Sequence, residues 1–301
     1  MEIQWSLVFF AAFICWGAGT YMAAVAFREA FRASERIMGP SLVLSAIAVV
    51  IGAVASMTHL GHLGRIFGVL SNPSSGIFVE GLSSALLVVL VIVYLVAARR
   101  KASSAVLRAL ALVGIIPALV VTFAVGSSYL MVARPAWDVF ALPLVSVTAA
   151  LSMGAVTVLA INAFTAKSAA GDGEAKAAKA MGATTLALIV VQAVAVAVYV
   201  GAVAAAPFQD ASRSAMRMVA GEEALLFWGA VVALGILVPL VVVLVQHKKS
   251  ASVDAAGSVA AQSNAAVVLV VAALCMLVAV IAFRVIMFSL GSSIIDFGFT
   301  V

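Results

Sequence analysis

The sequence predicts an all-α integral membrane protein, a bundle of eight transmembrane helices with both termini extracytoplasmic. Three observations carry that expectation. Of the 301 residues, 65% are hydrophobic and only 10% are charged, with a mean hydropathy of +1.26, whereas soluble domains carry roughly a quarter charged residues. Apolar runs of twenty or more residues recur along the whole chain, each long enough to cross the ~30 Å hydrocarbon layer as a helix. Basic residues also alternate between one set of connections and the other, as the positive-inside rule requires.

Taken in order, the runs place helices near 5–27, 38–58, 77–98, 106–131, 140–165, 181–206, 223–246 and 265–290. The first run, Trp5 to Phe27, is longer than a signal-peptide apolar core and has no basic segment before it, so it reads as the first span. Ala166 to Ala180, rich in Ala, Gly and Lys, reads as a flexible loop between the fifth and sixth spans. The other connections are short, which leaves residues 1–301 as a single membrane domain. Connections 1–2 (Arg28, Arg32, Arg36), 3–4 (Arg99, Arg100, Lys101, Arg108), 5–6 (Lys167, Lys176, Lys179) and 7–8 (Lys248, Lys249) hold twelve of the 17 Lys and Arg. The other set holds Arg65, Arg134, Arg213 and Arg217, and Arg284 lies near the end of the eighth span. The basic set faces the cytoplasm in a multi-pass protein of the cytoplasmic (inner) membrane.

The net charge of +5 is spread over interhelical segments without interleaved aromatics, which argues against nucleic acid as a partner. The two cysteines, Cys15 and Cys275, sit inside apolar runs and cannot build an iron–sulfur or four-ligand zinc site. Of the three histidines, His59 and His62 share one short segment and His247 lies at the opposite end, so a haem held between two histidines of this chain is not expected. Any redox role then requires a diffusible carrier and a partner that holds the metal centres.

Sorted by depth, the unusual polar residues fall at the outward helix ends: His59, His62 and Arg65 after helix 2, and Glu80 at the start of helix 3. Tyr129, Arg134 and Asp138 flank the 4–5 turn, and Glu222 and Glu223 open helix 7. Charged groups at such positions commonly snorkel or cap helices, and the two glutamates suit a helix N-terminus. Arg213 and Arg217 read as a solvated loop face or a partner contact. His59 and Glu80 carry more, because a histidine and a carboxylate at membrane depth can exchange protons with a lipid-soluble substrate.

The segment Ser56-Met57-Thr58-His59-Leu60-Gly61, followed by Arg65-Ile66-Phe67 and by Ser74-Ser75-Gly76-Ile77-Phe78-Val79-Glu80, resembles the membrane anchor subunit of dimethyl sulfoxide reductase. A second match is Tyr129 through Ala133-Arg134-Pro135-Ala136-Trp137. The chain departs from that pattern at Leu63, where proline is common, and at Phe78-Val79, where a polar pair is usual. The resemblance implies a heterotrimer in which this chain anchors an iron–sulfur subunit and a molybdopterin catalytic subunit on the extracytoplasmic face. It also implies a menaquinol site, with His59 and Glu80 taking protons, Arg65 or Arg134 orienting a quinone oxygen or binding the docked subunit, and Tyr129 beside them. Menaquinol and menaquinone would be diffusible, with no haem or iron–sulfur cluster in this chain, and the terminal substrate would be handled elsewhere. Three other readings stay open: a multi-helix transporter, a structural anchor without a quinol site, and the related polysulfide-reductase type of membrane subunit.

Overall fold

The computed structural model describes residues 3–58, 72–166, 172–207, 209–251 and 259–291. Among them the chain is helical with no strand, and eight helices are long and apolar enough to cross a membrane. The spans are α1 (Trp5–Phe31), α2 (Met38–Met57, entered through a 3-10 turn Glu35–Ile37), α3 (Gly76–Arg99), α4 (Ser104–Ser127), α5 (Ala141–Thr165) and α6 (Asp172–Ala204). A short helix α7 (Gln209–Val219) follows. The seventh span is composite, running from α8 (Ala224–Leu226) through a π-helix (Phe227–Leu237) into α9 (Val238–Ala251), and α10 (Val259–Ser289) is the eighth.

Two elements differ from the sequence expectation. Helix α6 begins at Asp172, so residues 172–180 form its first turns instead of the expected flexible loop; 167–171 lie outside the described residues. Alanine and lysine are strong helix formers, and Asp172 and Glu174 in the first turn suit the helix dipole. Helix α7, placed where only a connection was expected, buries Ala211, Ser214, Ala215 and Met218 and leaves Arg213 and Met216 exposed. Its apolar stripe is too short to cross a membrane and lies over the end of the bundle.

Lipid gives helices little hydrophobic reason to associate, so small residues that let backbones approach decide the packing. Helix α1 is central, with 83% of its apolar window buried, and α5 follows at 72%. A Cβ on Gly19 would lie 1.8 Å from the carbonyl oxygen of Ala150, and one on Gly154 would lie 2.1 Å from the carbonyl carbon of Gly19. The Trp16 indole N–H donates to Thr157 Oγ1 at 3.0 Å, and the Tyr21 hydroxyl donates to the Ala111 carbonyl at 2.8 Å, tying α1 to α5 and α4. Large side chains such as Val89, Ile116 and Val194 point away from this core and form the lipid-facing belt.

The two ends of the bundle differ in how they hold charge. At one end Arg28, only 9% exposed, donates to Glu29 at 2.9 Å and to the Tyr94 hydroxyl at 3.1 Å. Arg108 closes on Glu29 at 2.6 Å, and Arg36 pairs with Glu174. The other end carries Glu80, the 4–5 turn, α7 and the close of α10.

Gly154→Val would drive a side chain into the Gly19 backbone, so the variant is expected to yield no folded monomer on size-exclusion chromatography in detergent. Gly81→Ala meets open space inside α3. It is expected to leave the thermal midpoint unchanged or raised, consistent with a gain of about 0.5–1 kcal/mol for replacing a helical glycine.

Candidate functional site

At the Glu80 end the chain assembles a small polar and aromatic cluster from four elements. Helix α3 starts with the Ser75 hydroxyl accepting from the Phe78 N–H at 3.2 Å, a cap that satisfies a first-turn donor. One turn further, the half-buried Glu80 carboxylate accepts from the Ser128 hydroxyl at 2.7 Å, and Ser128 caps the C-terminus of α4. The chain then turns, and Tyr129 packs edge-on against Trp137 at 5.4 Å and against Phe288 of α10 at 5.7 Å. Trp137 and Phe288 meet at 5.8 Å and 89°, completing three mutually perpendicular rings. Edge-to-face contacts of this kind add to the burial of each ring.

The turn between α4 and α5 is fastened to the end of α10. The Trp137 indole N–H donates to the Met287 carbonyl at 2.7 Å, and Arg134 donates to the Gly291 carbonyl at 2.9 Å while its guanidinium lies 4.4 Å from the Trp137 ring centre. Gly291 is needed there, since a Cβ would lie 2.5 Å from the indole. The Tyr199 hydroxyl of α6 donates to the Ala136 carbonyl at 3.0 Å. Burial pushes the Tyr129 phenol above its ordinary value, with Arg284 pulling it down and Glu80 adding to the rise, so it stays protonated at neutral pH.

Arg284 lies behind the aromatic group, 2% exposed in the last two turns of apolar α10. It donates to the Ser146 hydroxyl at 2.8 Å and contacts Met287 Sδ at 3.5 Å, and its guanidinium carbon is 5.5 Å from the Tyr129 ring centre. A cavity of about 30 Å³ opens beside it, lined by Cys15, Ser146, Ser152, Gln192 and the π-helical residues Val231 and Gly235. That volume suits one or two waters. The π-helix widens the seventh span where it meets α10, a distortion that recurs at functional sites.

Of the residues expected from sequence, the structure brings Glu80, Tyr129 and Arg134 to one end of the bundle. Glu80 faces Ser128, whereas Arg134 is occupied in holding the turn against α10. His59 and Arg65, with His62, lie outside the described residues. Arg213 pairs loosely with Asp210 at 3.7 Å on exposed α7, and Arg217 pairs with Glu222. Glu223 accepts from Ser289 of α10. Sequence reasoning noticed Arg284 yet left it out of the site, although an arginine within an apolar span is itself the signal. Ser128 and Phe288 carry no such signal. Among the described residues no three His, Cys, Asp or Glu side chains converge as metal ligands.

Replacing Trp137 by Ala removes one ring of three and the indole donor to α10. It is expected to lower the thermal midpoint of the detergent-solubilised protein by the equivalent of about 3–5 kcal/mol. Trp137→Phe, which keeps a ring, is expected to cost only about 1 kcal/mol.

The chain was compared with known proteins. The family described as polysulphide reductase, NrfD, matches residues 1–289. No curated protein matches the chain.

Proposed function

The chain belongs to the polysulphide reductase NrfD family, and from that premise we propose that it is the anchor and menaquinol-oxidising subunit of a molybdenum-dependent, dimethyl sulfoxide reductase-like respiratory complex. Proteins of the family are membrane subunits of quinol-linked oxidoreductase complexes and partner iron–sulfur and catalytic subunits. The observation that carries the reading is the Glu80–Ser128–Tyr129 group at one end of the bundle. It places a carboxylate within membrane reach beside packed aromatic rings, which suits a lipophilic ring that must lose protons.

In this reading the Glu80 end is extracytoplasmic, and the opposite end, with its excess of basic connections, faces the cytoplasm across the inner membrane. Menaquinol enters laterally from the bilayer. His59 takes one hydroxyl proton and Glu80 takes or relays the second, with Arg65 near the quinone oxygen and Arg134 holding the wall of the site. Two electrons leave singly to an iron–sulfur cluster of a partner docked over the same end, where Arg213 offers an exposed cation for its recognition. A molybdopterin subunit beyond it reduces the terminal acceptor. Because protons and electrons leave on one side, the step moves no net charge across the membrane.

Affinity purification of the tagged chain is expected to bring down a multi-cluster ferredoxin-like subunit and a molybdopterin subunit; recovery of the chain alone from native membranes would favour a transporter. In the assembled complex, Glu80→Gln and His59→Arg are each expected to lower quinol-dependent reduction at least about tenfold without loss of assembly. Undiminished turnover would leave a structural anchor. A rise in membrane potential during quinol oxidation by sealed vesicles would contradict the one-sided release.

A further inference from the structure

Among the described residues two arginines are buried, Arg28 and Arg284, and they are treated differently. Arg28 is neutralised where it stands, with Glu29 at 2.9 Å and Glu35 at 3.7 Å. Arg284 has no carboxylate within ion-pairing distance among the described residues; its partners there are a hydroxyl, a thioether and the face of a phenol ring, all uncharged. A guanidinium does not shed its proton in a protein, so the positive charge persists at any working pH. An unpaired buried cation at membrane depth is strongly disfavoured unless something uses it. Hydrogen bonds from the guanidinium to Ser146 and to water in a cavity of that size solvate it in part, but they supply no opposite charge.

The geometry says where the missing negative charge would sit. Glu80 and the Tyr129 phenol both lie within electrostatic reach of Arg284. Tyr129 stands between the guanidinium and the Glu80 end, with its ring edge against Trp137 and Phe288. A ligand seated beside Tyr129 and Glu80 would therefore feel the field of Arg284 through a poorly screened, largely apolar wall without touching it.

We propose that Arg284 is a positioning residue for the anionic form of a quinol ring bound at the Glu80 end, stabilising the ring once its first hydroxyl proton has left. The inference rests on the quinol-site reading above. In the step, the bound quinol QH2 gives one proton to a base of the site and becomes QH⁻. This quinolate passes one electron to the iron–sulfur partner and becomes the neutral semiquinone, which then releases the second proton and the second electron. The balance is QH2 to Q with two protons and two electrons released, the electrons being taken up one at a time by the partner's cluster. A fixed cation increases the share of bound ring present as QH⁻ without itself gaining or losing a proton.

Two probes that differ by one methyl group and one charge separate this role from a merely structural one: a 2-hydroxy-3-alkyl-1,4-naphthoquinone, whose acidic hydroxyl is ionised at neutral pH, and its neutral 2-methoxy ether. Their affinities would be titrated on the purified complex in lipid nanodiscs. The wild-type protein is expected to bind the anion about tenfold or more tightly than the ether. Arg284→Gln is expected to bring the ratio near one with the ether's affinity unchanged, and Arg284→Lys to restore the preference. Equal affinity for the two probes in the wild-type protein overturns the proposal without any variant, as does a preference that survives in Arg284→Gln. Failure of the wild-type protein to bind either probe overturns the quinol-site reading itself, and this inference with it.

Discussion

The backbone contact between α1 and α5 at Gly19, Ala150 and Gly154 is the constraint on which the rest of the structure depends. In a bilayer the outer surface of each helix is as well solvated by lipid as by a neighbour, so a central helix needs a reason to be central. Here the reason is close approach: with no side chain between them, α1 and α5 meet carbonyl to glycine, and dispersion and dipole contacts replace burial from water. Once α5 is set against α1, its start is set too, and the turn before it, with Arg134, Pro135, Ala136 and Trp137, is delivered to the end of α10. Ser146, one turn into α5, then stands where Arg284 can donate to it. The site at the Glu80 end is thus positioned by a contact deeper in the membrane than any of its own residues.

The two ends illustrate two uses of buried charge. At the Arg28 end, the buried cation has its acid close by and the network reads as a structural fastening between α1, α3 and α4. At the Glu80 end, buried Arg284 instead meets a hydroxyl, a thioether and the face of a phenol ring. Structural ion pairs neutralise; this arrangement leaves a field in place. Such a field is of use only to something that changes its own charge.

Hydropathy made the eight spans legible, because twenty apolar residues bounded by charge have one economical solution in lipid. It was blind to the first turns of α6, since Asp172 to Ala180 is polar enough to look like loop while being helical by propensity. It was equally blind to α7, an eleven-residue helix too short and too polar to register as a span, whose buried face is Ala211, Ser214, Ala215 and Met218. The π-helical turn at Phe227–Leu237 has no signature in a run of Val, Leu, Ala and Gly. In the site, polar residues at helix ends pointed to Glu80, Tyr129 and Arg134. What they did not disclose was commitment: Arg134 looks as available as Glu80 until its bonds to Gly291 and its place over Trp137 are seen. Arg284 lies near the end of α10, as the sequence places it, yet it is buried, because the 4–5 turn packs over that end. The motif resemblance and the family match meet at the level of a membrane subunit, and the branch within it is decided by partners that this chain does not encode.

A carrier with the same helices would have to release its substrate at both faces, and the packing argues against a path between them. From the Glu80 end inward, the space between α1, α4 and α5 is filled by Ile14, Cys15, Ala18, Val121 and Met153, all fully buried. Beyond them Tyr21 is hydrogen-bonded across to α4, and the far mouth is crossed by Arg28, Glu29, Arg108 and Tyr94. The cavity beside Arg284 ends among Met276, Ala279 and Val280 without reaching that network. Among the described residues, no cavity joins the Glu80 end to that network. That geometry is unhelpful for transport, but it is sufficient for a lipid-soluble reductant, which arrives through the bilayer, gives up protons and electrons at one surface, and returns to the bilayer oxidised.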